Sequence, residues 1–245
     1  MAIIFQDTFT EAGSDTLLQN HTPDTGTSWT IVIDSVADND LEVESTGNYL
    51  KCDSASSNDG MLYTADVTYP SANYTVEVDN TNVDTLDDYQ ILAARIQDAN
   101  NMYVLEWLND RFILYKRVAG SWTTLDTAVS PSVIDGDTIK LEVIGTAIKG
   151  YINDVEKVSA TDASHSAAGK AGIGVGDIVT TGGDMSSQHY DNFIVTDLGA
   201  AGTNLQINIG DAWKEVPAAH INIGDAWKDV ASASVNIGDA WKTIF

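Results

Sequence analysis

The sequence predicts an all-β protein: an antiparallel β-sandwich followed by a small C-terminal domain of three tandem β-hairpins. Three observations support this fold class. The chain before the C-terminal repeats shows no convincing amphipathic helix. It consists instead of short alternating segments rich in Val, Ile, Thr and Tyr, broken by Gly, Asn and Asp, which is typical of strands joined by hairpins. The C-terminal end then repeats one eight-residue phrase three times.

The clearest predicted strands of the sandwich share a length of seven to nine residues and a high content of β-branched and aromatic side chains. In order they are NYTVEVD (73–79), YQILAARIQ (89–97), MYVLEWL (102–108), RFILYKRV (111–118), TIKLEVIG (138–145), AIKGYIN (147–153), KAGIGVG (170–176) and YDNFIVTDL (190–198). Turns such as DANN and VAGS separate neighbouring strands at hairpin spacing. This spacing predicts consecutive antiparallel pairs.

The segment 90–118 can be read in register. With DANN as a four-residue loop and Asn109-Asp110 as a two-residue turn, Arg95 faces Val104 and Trp107 faces Phe112. Period-two alternation then predicts one core face, formed by Leu92, Ala94, Ile96, Tyr103, Leu105, Trp107, Phe112 and Leu114.

The opposite face of these strands carries all three arginines of the chain. Guanidinium groups and a phenol suit sugar hydroxyls or carboxylated sugars. The candidate ligand-binding residues are therefore Arg95, Glu106, Arg111, Tyr115 and Arg117. The alternative is a solvated face held by cross-strand Arg–Glu pairs. The same face also carries Ile91, Val104, Leu108 and Ile113, which predicts that a second layer, a loop or a partner chain covers it.

Composition narrows the function classes. The formal net charge is −24, and such a surface repels phosphate backbones, so we expect no nucleic-acid partner. The apolar content of 43% is enough for a substantial core, yet no apolar run has the length of a membrane span, so we expect no membrane insertion. The opening MAIIFQDTFTEAG has no basic start or long apolar centre, so we expect no signal peptide.

The strands above, together with the opening FQDTFTEAGSDTLLQNHTPDTGTSWT, resemble the laminin-G-like, concanavalin-A-like jelly roll over about residues 3–198. The version they resemble is common in phage and bacterial surface proteins. The resemblance implies two stacked sheets, pairing of IFQDTF with DNFIV, and recognition of glycans or proteins. It also implies a structural calcium near Asp7 and Asp191; alternatively, these carboxylates only bond neighbouring backbone amides. We expect no other cofactor.

Some concanavalin-A-like relatives are glycoside hydrolases, which need two carboxylates across the scissile bond. The pattern in the relevant family is Glu-x-Asp-x-Glu on one strand. In some members one extra residue precedes the second Glu. The nearest match here is VEVDNTN, which contains Glu77 and Asp79. Thr81 and Asn82 occupy the two possible positions of the second Glu. We therefore expect a protein that is not an enzyme.

The tail repeats apolar-Asn-apolar-Gly-Asp-Ala-Trp-Lys every 14 residues. A three-residue Gly-Asp-Ala loop would oppose Ile209 with Trp213 and give each hairpin one apolar face; a two-residue Gly-Asp turn would mix the faces. The candidate assembly residues are Ile207, Ile209, Trp213, Ile221, Ile223, Trp227, Val235, Ile237 and Trp241. The alternative is a plain meander packed on the sandwich.

The predicted domains are a sandwich over 1–198, a linker over 199–206 and the hairpin repeats over 207–245. The repeats resemble the tandem NIGGxWK-like hairpins in the tails of phage structural proteins but have Asp after the first Gly. We therefore expect a virion surface component (fibre, tail or capsid decoration) that forms homo-oligomers or binds other virion proteins and can bind a cell-surface glycan. A bacterial surface lectin or adhesin, or a glycan hydrolase or lyase, are the alternatives.

Overall fold

The structure, a computed structural model, describes residues 1–34, 41–52, 60–82, 89–108, 110–129, 133–176, 178–179 and 189–199, and six C-terminal strands between 205 and 243. The chain divides into two compact units, Met1–Ala200 and Ala201–Phe245. In the described part of the chain, no helix has the length and apolar character needed to cross a membrane.

The strands of the first unit are, in chain order, β1 Ala2–Asp7, β2 Thr16–Leu17, β3 Ser28–Asp34, β4 Leu41–Glu44, β5 Tyr49–Cys52, β6 Met61–Asp66, β7 Tyr74–Asn82, β8 Gln90–Asp98, β9 Asn101–Trp107, β10 Arg111–Val118, β11 Ser121–Val129, β12 Thr138–Ile144, β13 Ala147–Ile152, β14 Val155–Thr161, β15 Lys170–Val175 and β16 His189–Asp197. One 3₁₀ turn, Leu18–Asn20, follows β2. The predicted all-β fold class is confirmed.

Two antiparallel sheets form the sandwich. One has the order β14-β13-β12-β7-β16-β5-β4-β2, and β1 also pairs with β16. The other has the order β11-β10-β9-β8-β15-β6-β3. The first and last strands of the unit therefore lie side by side, as expected, with Asp7 opposite Phe193.

The core lies between the two sheets and is rich in aromatic side chains. Trp29 packs edge-on against Phe5 and Phe193, with ring centroids 4.8 and 5.0 Å apart. Trp107 is fully buried in the same core, as its register predicts. Large aromatic side chains contribute both buried area and edge-to-face contacts, so this cluster holds the two sheets together.

The predicted register of 90–118 is correct in one hairpin and wrong in the other. Trp107 pairs with Phe112, as expected. On the other side of β9, however, Val104 pairs with Ala93 and not with Arg95, because the register of β8 shifts between Ala94 and Asp98. Between Ala94 and Asp98, three residues of β8 (95–97) oppose one residue of β9, so simple alternation does not hold within this stretch.

The outer face of the seven-stranded sheet is apolar and covered, as its aliphatic residues predict. The buried residues of this outer cluster are Leu62, Ile91, Ala93, Ile96, Met102, Val104, Ile113 and Tyr115. Ile178 and Val179, which follow β15 in the chain, pack against it. Ile96 belongs to this cluster and not to the core between the sheets, which corrects its predicted face.

The C-terminal unit contains three separate two-stranded sheets: β17 Leu205–Ile209 with β18 Ala212–Val216, β19 His220–Ile223 with β20 Ala226–Asp229, and β21 Ser234–Ile237 with β22 Ala240–Thr243. The three-residue loop predicted for each repeat is wrong. Ile209 pairs with Ala212 and Asn208 with Trp213, so two residues connect the paired positions. The other two hairpins have the same register. The side chains of the candidate assembly residues lie outside the described part of the structure.

Candidate functional site

A polar cleft of about 350 Å³ lies at one end of the sandwich. The end of β8, the start of β9 and the segment 162–168, which is part of the connection from β14 to β15, form its walls. Its lining residues are uncharged or weakly basic: Gln97, Asn101, Ser164, His165, Ser166 and Ala167. The volume falls within the range of about 300–1,000 Å³ that is typical of small-molecule sites.

The buried side chain of Arg95 supports the wall of the cleft that the segment 162–168 forms. This residue sits in the β8 bulge with a φ of +50°, and its side chain is only 1% exposed. Its Nη1 donates to the carbonyl oxygens of His165 (2.9 Å) and Gly145 (2.8 Å), and its Nε donates to that of Ala72 (2.9 Å). One guanidinium therefore ties three loops together. The arrangement has a cost, because Nη2 is buried and has no hydrogen-bond partner among the described residues.

A second network fixes the first half of the segment 162–168. The carboxylate of Asp162 accepts hydrogen bonds from Lys116 Nζ, Tyr103 Oη and the Ser164 backbone N–H. Although burial acts to raise the pKa of Asp162, these donors, led by Lys116, hold it well below its ordinary value. Burial raises the pKa of Tyr103 to about 12, so its hydroxyl is protonated at neutral pH. The wall of the cleft is thus pre-organised.

The opposite wall is braced by contacts between two hairpin loops. The Ala119 backbone N–H donates to Asn101 Oδ1 (3.0 Å), and the Gly120 N–H donates to the Asn100 carbonyl oxygen (3.0 Å). Arg117 Nη1 donates to the carbonyl oxygen of Ala99 (2.7 Å). The β10–β11 loop therefore supports the β8–β9 loop that lines the cleft.

His165 has a defined tautomer when it is neutral. Its Nε2 lies 2.7 Å from the carbonyl oxygen of Arg117, so the proton must be on Nε2. The neutral ring then keeps its lone pair on Nδ1. Its ring also packs edge-on against Tyr103, with centroids 5.0 Å apart. The cleft thus combines an imidazole acceptor with the hydroxyls of Ser164 and Ser166.

The structure does not bring the five predicted ligand residues together on an open face, and this corrects the predicted platform. Arg95 is buried behind His165, and Glu106 is 1% exposed. Tyr115 belongs to the covered outer cluster. Arg111 is exposed, but it lies at the β9–β10 turn, at the end of β9 opposite the cleft. Arg117 is half-buried, and its backbone carbonyl oxygen contacts a lining residue, His165.

The physical reason for this difference is the bulge in β8. Strict alternation places Arg95 on the outer face of the sheet, but the positive φ turns its side chain toward the end of the sandwich. The outer face is then occupied by apolar residues under Ile178 and Val179. A sugar would have no access to Arg95 or Glu106 from that side.

The predicted calcium ligands are engaged with protein donors. Asp7 is 1% exposed and accepts hydrogen bonds from Trp29 Nε1 (2.7 Å) and from the Phe9 N–H (2.8 Å), while His21 Nε2 lies 3.0 Å from Oδ1. Asp191 accepts from the Asn192 N–H at 2.7 Å. Across the described ranges, no group of three or more His, Cys, Asp or Glu side chains could hold a metal ion. The geometry matches the alternative in which both carboxylates bond backbone amides.

One carboxylate of the hydrolase comparison, Asp79, lies next to a predicted calcium ligand on the neighbouring strand. Asp79 of β7 pairs directly with Asp191 of β16. Asp79 accepts hydrogen bonds from Thr138 Oγ1 (2.7 Å) and Asn192 Nδ2 (2.9 Å). Burial raises the pKa of Asp191, and the nearby carboxylates of Asp79 and Asp7 act in the same direction. This pair belongs to the nine-stranded sheet and does not line the polar cleft.

The residues that line the cleft were not among the predicted ligand residues. The sequence feature that could have pointed to these residues is the segment DASHSAAGK (162–170), which consists mainly of small and polar residues and follows the predicted strands. Loops of this kind often carry binding residues on a rigid scaffold. The sequence offers no local sign, however, that this segment meets the β8–β9 loop.

No protein-family model matches the sequence, and no curated protein is significantly similar to it. Among solved structures, a Bacillus subtilis protein of unknown function with a galectin-like fold aligns with a TM-score of 0.57 and 10% identity, covering 80% of this chain and 96% of its own. A structure reported with the endo-acting O-glycanases of human gut bacteria that initiate mucin breakdown aligns with a TM-score of 0.53 and 12% identity, covering 80% and 100%.

A carbohydrate-binding module, CBM66 from Bacillus subtilis, aligns over 69% of this chain and 95% of its own, with 18% identity and a TM-score of 0.49. The likeness to the galectin-like protein and to the gut bacterial protein shows that the sandwich has a galectin-like jelly-roll fold. The narrower assignment to the laminin-G-like version stays a prediction.

Proposed function

We propose that the sandwich is a non-enzymatic glycan-binding domain and that the polar cleft is its ligand site. The observation that carries this proposal is the cleft itself, with its volume of about 350 Å³ and its lining of amide, hydroxyl and imidazole groups. Sugar hydroxyls donate and accept hydrogen bonds, so they match a lining that does both. Because hydrogen bonds already hold the walls in place, the protein would lose less conformational entropy when a ligand binds.

The shared fold adds support at the level of analogy. The gut bacterial structure is described by its action on mucin O-glycans, and the Bacillus subtilis protein by its galectin-like fold. A fold hosts many functions, so the site must carry the argument. The jelly roll makes a glycan the first ligand class to test, and the chemistry of the cleft supplies the specific reason.

The test is a glycan array probed with the labelled full chain, followed by calorimetry with the best ligand. In Ser164→Ala/Ser166→Ala, the loss of two hydrogen bonds of about 1 kcal/mol each predicts at least about tenfold weaker binding. Ser14→Ala is the matched control, since Ser14 is an exposed serine between β1 and β2. Arg111→Ala tests the opposite end of β9. Equal loss in the control variants, or none in the cleft variant, would refute the cleft as the site.

We propose that the domain lacks catalytic activity. The residues that line the cleft include no carboxylate, whereas most glycoside hydrolases need two carboxylates. A candidate carboxylate pair for a hydrolase or lyase is Asp79 and Asp191, which lie opposite each other in β7 and β16. A reducing-sugar assay on mixed polysaccharides tests this alternative. Activity that disappears in Asp191→Asn would establish an enzyme and overturn the proposal.

A second proposal concerns the tail: we propose that the three hairpins are an assembly or docking unit. The observation that favours it is that the three repeats form separate two-stranded sheets with the same register. Isolated two-stranded sheets are marginally stable in water, so a partner surface would stabilise them. Light scattering should give an oligomer for the full chain and a monomer for a chain ending at Leu198. A monomeric full chain would remove homo-oligomerisation and leave docking to another protein.

The setting that we propose for both activities is the surface of a phage virion, where the tail anchors the chain and the sandwich binds a host glycan. The repeat sequence is the basis of this proposal. A bacterial surface lectin or adhesin is the alternative. Localisation of the protein with an antibody, on purified phage particles or on intact bacterial cells, distinguishes the two.

A further inference from the structure

None of the side chains that line the cleft carries a permanent charge that could pair with an ionic ligand. Gln97, Asn101, Ser164 and Ser166 are neutral, and neutral His165 offers its Nδ1 as an acceptor. From this arrangement we infer that the cleft selects uncharged, hydroxyl-bearing sugars and discriminates against sugars that carry carboxylate or sulfate groups. The inference rests on the proposed glycan-binding function and specifies its ligand class.

The cations next to the cleft are already used within the protein. Lys116 Nζ bonds both Asp162 and Ser164 Oγ, the latter at 3.1 Å. Arg117 uses Nη1 for the Ala99 carbonyl oxygen and Nε for that of Gly120 (3.4 Å), and its guanidinium lies over the Trp122 ring at 4.9 Å. A carboxylate or sulfate is bound most strongly by two parallel N–H groups. Arg117 keeps N–H groups that these bonds do not use, but its guanidinium is held against the Trp122 ring and the Ala99 carbonyl oxygen and is not among the groups that line the cleft.

Arg95 does not change this conclusion. Three of its hydrogen bonds go to backbone carbonyl oxygens, and its side chain is 1% exposed behind His165. An anion could reach it only by displacing the wall of the cleft. The positive charge of Arg95 is therefore used to hold loops, and the surface of the cleft presents hydroxyl and amide groups instead.

The field of the whole chain acts in the same direction. A formal net charge of −24 lowers the local concentration of anions around the protein and slows their association. A neutral sugar feels no such barrier. The hydroxyl of Ser166 is exposed and can both donate and accept, so it can pair with a sugar hydroxyl.

The experiment compares matched neutral and acidic tetrasaccharides: glucose with glucuronic acid, galactose with galacturonic acid, and mannose with mannuronic acid. The full chain is titrated with each by calorimetry, after an array has shown which sugars bind. We expect the acidic member of the responding pair to bind at least about tenfold more weakly. We expect the affinity for the neutral member to change less than about twofold between about 50 and 300 mM salt.

A charge-gain variant tests the physical cause. Ser166→Lys places a cation in the lining and should strengthen binding of the acidic tetrasaccharide by about fivefold or more. Thr127→Lys, at an exposed position of β11 away from the cleft, is the matched control and should leave it unchanged.

The outcomes are distinguishable. Binding of an acidic sugar that equals or exceeds that of its neutral partner, and that is lost in Ser164→Ala/Ser166→Ala, overturns this inference and leaves the glycan-binding function standing. If no sugar on the array binds in a way that depends on the cleft, the proposed function is refuted and this inference is refuted with it. Neutral preference together with the gain in Ser166→Lys supports both.

Discussion

The guanidinium of Arg95 donates a hydrogen bond to the carbonyl oxygen of His165 across 2.9 Å, joining the bulge of β8 to the segment that forms one wall of the cleft. The two residues lie 70 positions apart in the sequence. Because the same side chain also holds Gly145 and Ala72, one buried cation sets the position of three loops. The site therefore depends on a residue that no ligand would touch.

Replacing this residue should destabilise the sandwich. Arg95→Met keeps much of the side-chain volume but leaves the carbonyl oxygens of Ala72, Gly145 and His165 without their donor. Each unsatisfied buried group costs about 1–3 kcal/mol, although relief of the buried charge offsets part of the loss. We expect the free energy of unfolding, measured with urea, to fall by about 3 kcal/mol.

Arg111→Ala is the control for loss of an arginine. Arg111 is exposed and forms an ion pair with the neighbouring Asp110, at 3.4 Å. A pair of this kind contributes little, so we expect a change within about 0.5 kcal/mol. If Arg95→Met is as stable as Arg111→Ala, the loop-holding role of Arg95 is wrong.

His21 should make stability depend on pH near neutrality. Burial lowers the pKa of His21, but its hydrogen bonds to Asp7 and Glu11 outweigh burial and raise the pKa above its ordinary value. A group whose folded pKa is raised stabilises the fold below its unfolded pKa of about 6.5, and this contribution is lost as pH rises through the folded value. The stability difference between the wild type and His21→Gln should therefore be larger at pH 6 than at pH 8.

Urea denaturation at both pH values measures this difference. The other titratable groups, among them His189, whose pKa is lowered mainly by burial, add their own pH dependence. They are present in both proteins and cancel in the comparison. If the unfolding free energy of the wild type exceeds that of His21→Gln by more at pH 8 than at pH 6, the predicted direction is wrong.

Asp7 should stabilise the protein through hydrogen bonds and not through a metal. Asp7→Ala removes the acceptor of Trp29 Nε1 and of the Phe9 N–H, and the partner of His21. We expect a loss of about 3 kcal/mol in unfolding free energy, because charged hydrogen bonds and buried donors are both affected. The loss should be equal in calcium and in EDTA, as measured by urea denaturation in each.

Asp24→Ala provides the comparison for an exposed carboxylate. Asp24 accepts from the Thr8 N–H (2.9 Å) and Thr8 Oγ1 (2.7 Å), so its removal should cost less than about 1 kcal/mol. A loss in Asp7→Ala that appears only when calcium is present would show that Asp7 is a calcium ligand after all.

The two glycines of β15 should not tolerate a side chain. A Cβ at Gly174 would lie 2.2 Å from the backbone carbonyl oxygen of Met61 on the adjacent strand β6. Backbone atoms of a paired strand cannot move aside cheaply, so Gly174→Ala should cost about 2–4 kcal/mol. Thermal unfolding followed by circular dichroism measures this loss.

Gly136→Ala separates packing from backbone strain. A Cβ at Gly136 would meet no atom within 4 Å, but its φ of +87° is unfavourable for alanine. This conformational penalty alone should cost about 1 kcal/mol. If Gly174→Ala costs no more than Gly136→Ala, close approach of β15 and β6 is not the reason for the glycine.

Sequence alone predicted most of the strands and the core, because the relevant signals are local. Alternation of side chains between two faces is a property of each strand, so Leu105, Trp107 and Phe112 could be assigned to the core from their own segments. Turn residues between strands were equally local. The predicted pairing of β9 with β10 was right for this reason.

Local signals failed at Arg95. A bulge is one extra residue in a strand, and it follows from contacts that lie far away in the sequence. The Arg95 N–H bonds Tyr74 Oη, and its side chain bonds the three loops. No pattern within 90–98 encodes those partners, so the predicted position of Arg95 on an open face was wrong. The tail shows the same limit, because a two-residue and a three-residue loop fit the same repeat and only the pairing of Asn208 with Trp213 distinguishes them.

The sequence by itself therefore determined the all-β class, most of the strand positions and the apolar faces, since these depend on residue type and spacing within a few positions. Only the tertiary structure decided where the candidate site lies. The segment 162–168 and the β8–β9 loop are distant in the chain, and they meet because a buried arginine and the Lys116–Asp162 pair fix them at one end of the sandwich. Long-range hydrogen bonds of this kind depend on how the sheets pack, which the order of residues along one strand does not specify.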